Sequence, residues 1–438
     1  MRVSPFALLL ACACATSPAP APRAEGSPKE PAEDQPASDD KTPADAPEQF
    51  KAELEEISAL RGLAPARPVT GRRVSRDALR EHLEQTFEQN IPEREQSGTE
   101  EMLVALADLP RDFHFKETWL SLMQSELAGL YDPKQDVLFV VDGLEQTLDR
   151  ATLLHELVHA LQDQRFDLDR LTAAGDDRGD EKSAISALAE GDATSVMFDS
   201  LLRPEGKTAL DIPPGIIETQ LALSGAGAPK TVPELIIRSM IAPYVDGIAF
   251  VHALRARGGF AEVDRVWNHL PRSTEQILHL DKYDADERPV SVPLPAPPES
   301  GFELTLHDTW GEQSLRLLLE EWVDRKTAAA AAAGWGGDRV AAFSRGSERA
   351  VAGVWVMDTA KDANELVTAL SARRGPGKTL AKGETSFCLV GKNQLPFAVA
   401  SSGAKVVAAA GPYERTQSET ANCEASRRWA QALVRATP

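Results

Sequence analysis

The sequence predicts an α+β protein: a mostly helical domain with a small β-sheet, followed by a smaller C-terminal α+β domain. Three observations support this prediction. Between residues 50 and 288, apolar side chains recur at helical spacing, as at Leu79, Leu83 and Phe87. One β-rich run, residues 137–141, interrupts these helical patterns. Residues 289–300 are rich in proline and are predicted to be a stiff linker between domains. Beyond them, short apolar runs alternate with helical patterns, which indicates a second domain at 301–438.

Length, composition and charge limit the classes of protein that this chain can belong to. Its 438 residues, 42% of them hydrophobic, are enough for two to three domains with apolar cores. A formal net charge of −20 repels phosphate groups. We therefore expect no nucleic-acid partner and no binding to anionic membrane surfaces through charge.

The first 49 residues are typical of an exported bacterial protein. Arg2 precedes a short apolar run, and residues 1–14 are predicted to be a signal peptide. The run Leu-Leu-Ala-Cys at 9–12 resembles a lipobox, which makes Cys12 the lipidated residue and a lipid chain the only membrane anchor. The alternative is a plain signal peptide cut after Ala13 or Ala15. Both interpretations place the protein outside the cytoplasm, in the cell envelope or beyond it.

Residues 15–49 consist mainly of Pro, Ala, Ser, Glu and Asp. Such a segment has too little apolar surface to offset the entropy of ordering it. We expect a disordered tether that holds a lipid-anchored protein away from a membrane.

Two cysteines remain once the leader is set aside. Of the four in the chain, Cys12 and Cys14 lie in the leader, and Cys388 and Cys423 lie in the C-terminal domain. A pair in an exported protein predicts one disulfide, and the alternative is two free thiols.

The stretch at 152–161 contains His-Glu-x-x-His, within a helix predicted at about 145–164. His155 and His159 are four residues apart, so a helix brings both to one face and to one metal ion. Zinc accepts imidazole nitrogens, and a catalytic site uses three protein ligands plus a water. Glu156 is placed to take a proton from that water. The alternative is a core helix whose histidines form ordinary hydrogen bonds.

A further candidate metal ligand lies on the helix predicted at about 181–201. Glu190 shares a face with the small residues Ser183, Ala187 and Thr194, and small residues let helices approach closely. Gly191 costs about 1 kcal/mol relative to Ala within a helix, which suggests a packing requirement. Glu190 is therefore a candidate third zinc ligand. The alternative is a glutamate on an exposed helix.

His279 is a tentative catalytic residue near the end of a short helix that Ser273 and Gln276 begin with a capping box. It could donate a hydrogen bond to a tetrahedral intermediate. Tyr244 and Tyr131 are weaker candidates for the same role. The alternative is a histidine favoured at a helix C-terminus by the helix dipole.

The remaining helical patterns surround the predicted metal helix. Pro243 is expected to separate two helices, at 232–241 and 248–257. Ser75 is expected to cap the second of four earlier helices, at 51–60, 76–89, 99–109 and 116–127.

Four motifs together resemble a group of exported bacterial zinc metallopeptidases of the gluzincin type. They are Leu-Tyr-Asp-Pro at 130–133, His-Glu-Leu-Val-His-Ala-Leu-Gln at 155–162, Glu-Gly-Asp-Ala-Thr at 190–194 and Ser-Thr-Glu-Gln-Ile-Leu-His at 273–279. The resemblance covers about residues 115–285. It implies a zincin-like fold for 50–288, His155, His159 and Glu190 as ligands of one zinc ion per chain, and Glu156 as the general base.

The chain departs from thermolysin-like gluzincins at Thr194, where those enzymes have an aspartate. Asp163 and Asp192 are candidates to hold a ligand histidine instead. The resemblance implies an exported metalloendopeptidase that acts on a peptide or protein substrate. Two alternatives remain: an envelope lipoprotein that binds a partner without catalysis, and a zinc amidase acting on cell-wall peptide.

Overall fold

The computed structural model describes residues 50–172, 177–222, 227–374, 386–415 and 423–436. The predicted signal peptide, Cys12 and the predicted tether lie outside these residues. In the described chain, helices pack on two separate sheets, so the α+β prediction is confirmed.

The first sheet lies beside the predicted metal helix. Its described strands are β1 (Thr70–Val74), β2 (Gly129–Asp132) and β3 (Val137–Val141), in the order β1-β3-β2. β3 pairs in parallel with β1 and antiparallel with β2. The strand predicted at 137–141 is confirmed, whereas the residues before it form β2 as well as the expected turn. All four residues of β2 are buried.

Helices surround this sheet, and the largest apolar core lies among them. The four that precede β2 are α1 (Lys51–Arg61), α2 (Arg76–Asn90), α3 (Glu93–Leu106) and α4 (Phe115–Glu126). Those that follow β3 are α5 (Gln146–Phe166), α6 (Leu168–Thr172), α7 (Gly179–Leu202), α8 (Pro214–Ala222), α9 (Glu234–Gly258), α10 (Phe260–Asn268), α11 (Thr274–Leu278) and α12 (Leu280–Asp284). Ser75 caps α2 as predicted, because its side chain accepts a hydrogen bond from the Ala78 N–H.

Two predicted helix boundaries are wrong. α3 begins at Glu93, directly after Pro92, so Thr99 lies inside the helix and donates its hydroxyl to the Glu95 carbonyl. α9 runs unbroken through Pro243. A proline inside a helix costs about 3 kcal/mol or more, but α9 buries most of its length against other helices, which offsets that cost.

α9 crosses α7 with the two backbones in direct contact. A Cβ added at Gly191 would lie 2.1 Å from the Gly247 carbonyl oxygen, and one added at Gly247 would lie 1.9 Å from the Ala187 oxygen. The packing requirement predicted for Gly191 is thus confirmed. Among the described residues, α9 alone has the length and apolar composition of a membrane span, and 72% of its apolar window is buried inside the protein.

The C-terminal region is built on the second sheet. Its helices are α13 (Gly311–Leu319), α14 (Arg325–Ala332), α15 (Ala360–Ser371) and α16 (Cys423–Ala436). Its described strands are β4 (Glu303–Asp308), β5 (Trp335–Arg345), β6 (Glu348–Met357), β7 (Ser386–Val390), β8 (Pro396–Ser402) and β9 (Lys405–Glu414). The strands pair antiparallel in the order β4-β5-β6-β9-β8-β7, and α16 covers one face.

The two regions share one apolar core. α3 packs against β4, β5 and β6, and the largest cluster of buried residues runs from α2 to β9. The proline-rich segment 289–300 is held along the C-terminal region, where the Val290 N–H donates to Gly336 and Trp429 donates to the Ala296 carbonyl. Cys388 on β7 and Cys423 on α16 form a disulfide, with Cα atoms 5.9 Å apart.

Candidate metal centre

α5 and α7 bring the three predicted ligands together. We call His155, His159 and Glu190 the histidine cluster. His155 Nε2 lies 2.9 Å from His159 Nε2 and 3.0 Å from Glu190 Oε2, and His159 Nε2 lies 3.3 Å from the same oxygen. His155 is 2% exposed and Glu190 5%, while the side chain of His159 keeps 12% of its surface exposed. The cluster is therefore nearly enclosed, with its opening beside His159.

The donor set of the histidine cluster fits zinc. Two imidazole nitrogens and one carboxylate oxygen are typical ligands of a catalytic zinc site. In a tetrahedral site with bonds of about 2.0–2.1 Å, neighbouring ligand atoms lie about 3.3–3.4 Å apart. The three observed separations, 2.9 to 3.3 Å, are slightly shorter. Small outward movements of the three side chains would bring these separations to the values of a tetrahedral zinc site.

Charge within the histidine cluster is balanced by protons. Burial alone would lower the pKa of His159, but the Glu190 carboxylate outweighs it and raises that pKa to about 9. Burial alone would raise the pKa of Glu190, but the two histidines outweigh it and lower that pKa to about 2. The cluster thus holds a carboxylate that attracts positive charge, and no lysine or arginine among the described residues forms an ion pair with it.

Glu156 lies on α5 beside the first ligand and contacts the edge of the first sheet. Its Oε2 accepts a hydrogen bond of 2.6 Å from the Tyr131 N–H on β2. Close approach depends on Gly129, where an added Cβ would lie 2.6 Å from the Thr152 methyl and 3.4 Å from Glu156 Cγ. The carboxylate of Glu156 is therefore held by a main-chain N–H, and the residue is 2% exposed.

Gln162 contacts the ring nitrogen of His159 that does not face the other two ligands. Its Oε1 lies 2.8 Å from His159 Nδ1. Of the two carboxylates suggested from the sequence, Asp192 contacts Gln162 rather than a histidine, and Asp163 accepts from the Leu168 N–H and from Tyr131. Sequence reasoning missed Gln162, although it lies three residues after His159 on the same face of α5.

His279 is engaged elsewhere in the described structure. It lies between α11 and α12, where its Nε2 is 2.8 Å from Glu312 Oε1, and this hydrogen bond raises the pKa of His279. Tyr244 on α9 instead packs on the histidine cluster, with its ring centroid 5.9 Å from that of His155. The Tyr131 hydroxyl lies 2.7 Å from an oxygen of Asp136 and 3.0 Å from one of Asp163. Of the three predicted donors, Tyr244 is the one whose ring contacts a predicted metal ligand.

A second group of side chains, made of three carboxylates, also has the spacing of metal ligands. We call Glu275, Glu287 and Asp358 the carboxylate cluster. The ammonium of Lys282 lies 2.6, 2.8 and 2.8 Å from their oxygens, in that order. Burial alone would lower the pKa of Lys282, but the three carboxylates outweigh it and raise it. The chain therefore supplies this cluster with its own cation.

Comparison with known proteins adds information for the C-terminal region only. Residues 303–421 match the model of a family described as a domain of unknown function, DUF8575. No curated protein and no solved structure matches the chain.

Proposed function

We propose that the chain is a zinc-dependent peptidase whose centre is the histidine cluster. One observation carries the proposal: two imidazole nitrogens and a buried carboxylate oxygen converge within 3.3 Å, with no basic side chain of the described residues paired to them. His155, His159 and Glu190 would hold the ion. A bound zinc ion polarises a carbonyl and makes water acidic near neutral pH.

Glu156 is the proton carrier in this proposal. Its carboxylate takes a proton from the attacking water and passes it to the nitrogen of the leaving amine. The products are one carboxylate and one amine, so the water is consumed and no other reactant is needed. The hydrogen bond from the Tyr131 N–H supports this role, because it orients the carboxylate without occupying both oxygens. Glu156 is 2% exposed, so bulk water is largely excluded from the base.

The edge of β2 is the candidate binding surface for substrate. β2 lies at one end of its sheet among the described strands, and its Tyr131 N–H points away from β3 toward Glu156. β2 is buried and this N–H is already bonded to Glu156, so a peptide substrate would add to the edge as a further strand only after β2 is uncovered and that hydrogen bond is broken. The exported location and the lipid anchor at Cys12 belong to the same proposal and rest on the leader sequence.

Metal analysis combined with an activity screen tests this function. The purified protein is expected to hold one zinc ion per chain and to cleave an unfolded protein such as casein. Chelation should stop cleavage, and added zinc should restore it. Protein without zinc and without turnover would favour the binding lipoprotein. Cleavage of peptidoglycan fragments alone would favour the zinc amidase.

A further inference from the structure

We propose that Gln162 is a positioning residue that sets the tautomer and orientation of His159, and that Asp192 holds Gln162 in place. This inference rests on the proposed function, because it treats His159 as a metal ligand. Ligand histidines usually donate their second ring N–H to a carboxylate, a carbonyl or water. Here a side-chain amide takes that place.

Neighbouring acceptors determine which way the Gln162 amide points. Gln162 is fully buried, and its Nε2 lies 3.1 Å from the Ala189 carbonyl oxygen and 3.3 Å from Asp192 Oδ2. A main-chain carbonyl can only accept a hydrogen bond, so the amide must present its NH2 group to Ala189. The amide oxygen is left facing His159 Nδ1 at 2.8 Å.

This orientation decides the tautomer of His159. An amide oxygen only accepts, so Nδ1 must carry the hydrogen. In the neutral ring Nε2 then keeps its lone pair, and Nε2 is the atom that faces His155 and Glu190. Once the Nε2 proton leaves, the ring therefore presents that nitrogen to the other two ligands without a change of orientation.

Asp192 anchors this arrangement to the surrounding helices. It is 0% exposed and accepts from three donors: Gln162 Nε2, Arg61 Nε at 2.7 Å and Trp267 Nε1 at 3.0 Å. These donors come from α5, α1 and α10. A buried carboxylate is stable only when it is paired and hydrogen-bonded, so the three contacts define its position closely. The position of the metal-binding nitrogen thus depends on helices that do not carry ligands.

The test is Gln162→Met, which keeps the side-chain length and removes the hydrogen bonds to His159, Ala189 and Asp192. We expect zinc affinity, measured by competition with a chelator, to fall about 10- to 100-fold. The visible spectrum of the cobalt-substituted protein should change, because it reports the ligand geometry. The matched control is Gln164→Met on the same helix, whose side chain bonds to main chain at 66 and 67 and contacts no ligand. The control should keep the parent affinity and spectrum.

The outcomes separate this inference from the proposed function. If the parent protein binds no zinc, the proposed function fails. If the parent binds zinc and Gln162→Met matches it in affinity and cobalt spectrum, the positioning role is wrong and the function stands. Should Gln162→Met fail to fold, Gln162→Asn takes its place. This shorter amide cannot bridge His159 and Ala189, and the same loss of affinity is expected.

Discussion

The histidine cluster and the carboxylate cluster each bring three metal-binding side chains within 4.8 Å of one another. The two clusters differ in where the positive charge that balances their carboxylates comes from. Lys282 lies within hydrogen-bonding distance of all three members of the carboxylate cluster. No described lysine or arginine pairs with the histidine cluster, which gains positive charge by protonation of His159. Convergence of ligand atoms is therefore not sufficient evidence for a metal site. A group of ligand atoms whose positive charge comes from an exchangeable proton, which a metal ion can replace, is the more specific sign.

Removing the carboxylate from the histidine cluster should have the largest effect. We predict that Glu190→Ala lowers zinc occupancy and abolishes activity together, because two histidines alone form an incomplete site. Glu190→Asp should be partly impaired, since its side chain is one methylene shorter. Zinc content, turnover and circular dichroism measure these outcomes.

A control on the same helix sharpens this test. Glu181→Ala removes a carboxylate of α7 that pairs with Arg178 and lies away from the histidine cluster, and it should keep zinc and activity. Normal zinc binding by Glu190→Ala would mean that another residue is the third ligand, and the gluzincin resemblance would fail.

The next largest effect concerns the base rather than the ligands. Glu156→Gln should retain zinc while losing at least ~10²-fold in rate, because an amide cannot carry the proton. It can still accept the hydrogen bond from the Tyr131 N–H, so the fold should not change. Turnover equal to that of the parent would remove Glu156 from the mechanism.

The pKa of His159 predicts how zinc binding depends on pH. That pKa is about 9 in the folded metal-free chain and 6.5 in an unfolded chain. Protonated His159 therefore stabilises the fold fully below pH 6.5, and this contribution is lost as pH rises through 9. Zinc must displace this proton. Affinity should therefore rise about tenfold per pH unit between pH 6.5 and 8. Glu190 has a pKa of about 2, so the stability that its carboxylate contributes is lost only as pH falls through that value, which lies outside this range.

Chelator competition at several pH values measures this slope. The extra stability that zinc adds against unfolding should grow over the same range. A flat affinity profile would show that His159 is already neutral in the metal-free chain, and the charge balance described for the histidine cluster would be wrong.

Local sequence patterns were sufficient to predict α5 and the face of it that carries the candidate ligands. Spacing of four residues aligns His155 with His159 on any helix, and the same periodicity could have identified Gln162 three residues later. Glu190 was a candidate from its small-residue face and gained support from the resemblance. The run at 137–141 likewise predicted β3.

Contacts between distant segments could not be predicted in this way. The Tyr131 N–H reaches Glu156 only because β2 lies across α5, and no residue pattern records a main-chain donor. The helix through Pro243 persists because tertiary burial outweighs a local preference. The carboxylate cluster joins side chains from α11, the segment after α12 and the end of β6, so its pairing with Lys282 depends on the whole fold.

The smallest effect should come from the carboxylate cluster, where removing the internal cation tests the comparison directly. Lys282→Met leaves Glu275, which is 1% exposed in its side chain, beside two further carboxylates without compensation. We expect the free energy of unfolding to fall by about 1–3 kcal/mol in chemical denaturation. Lys361→Met removes an exposed pair with Glu365 and should change the free energy of unfolding much less.

Millimolar Ca²⁺ should restore part of the stability lost in Lys282→Met and leave the parent unchanged, because hard cations prefer carboxylate oxygens and the ammonium no longer competes. Such a gain would show that Lys282 is what keeps this cluster from binding a metal. If the variant is as stable as the parent and ignores Ca²⁺, the ammonium does not neutralise these carboxylates. The contrast with the histidine cluster would then need another cause, such as the greater exposure of Glu287 and Asp358, at 43% and 37% of their side-chain surface.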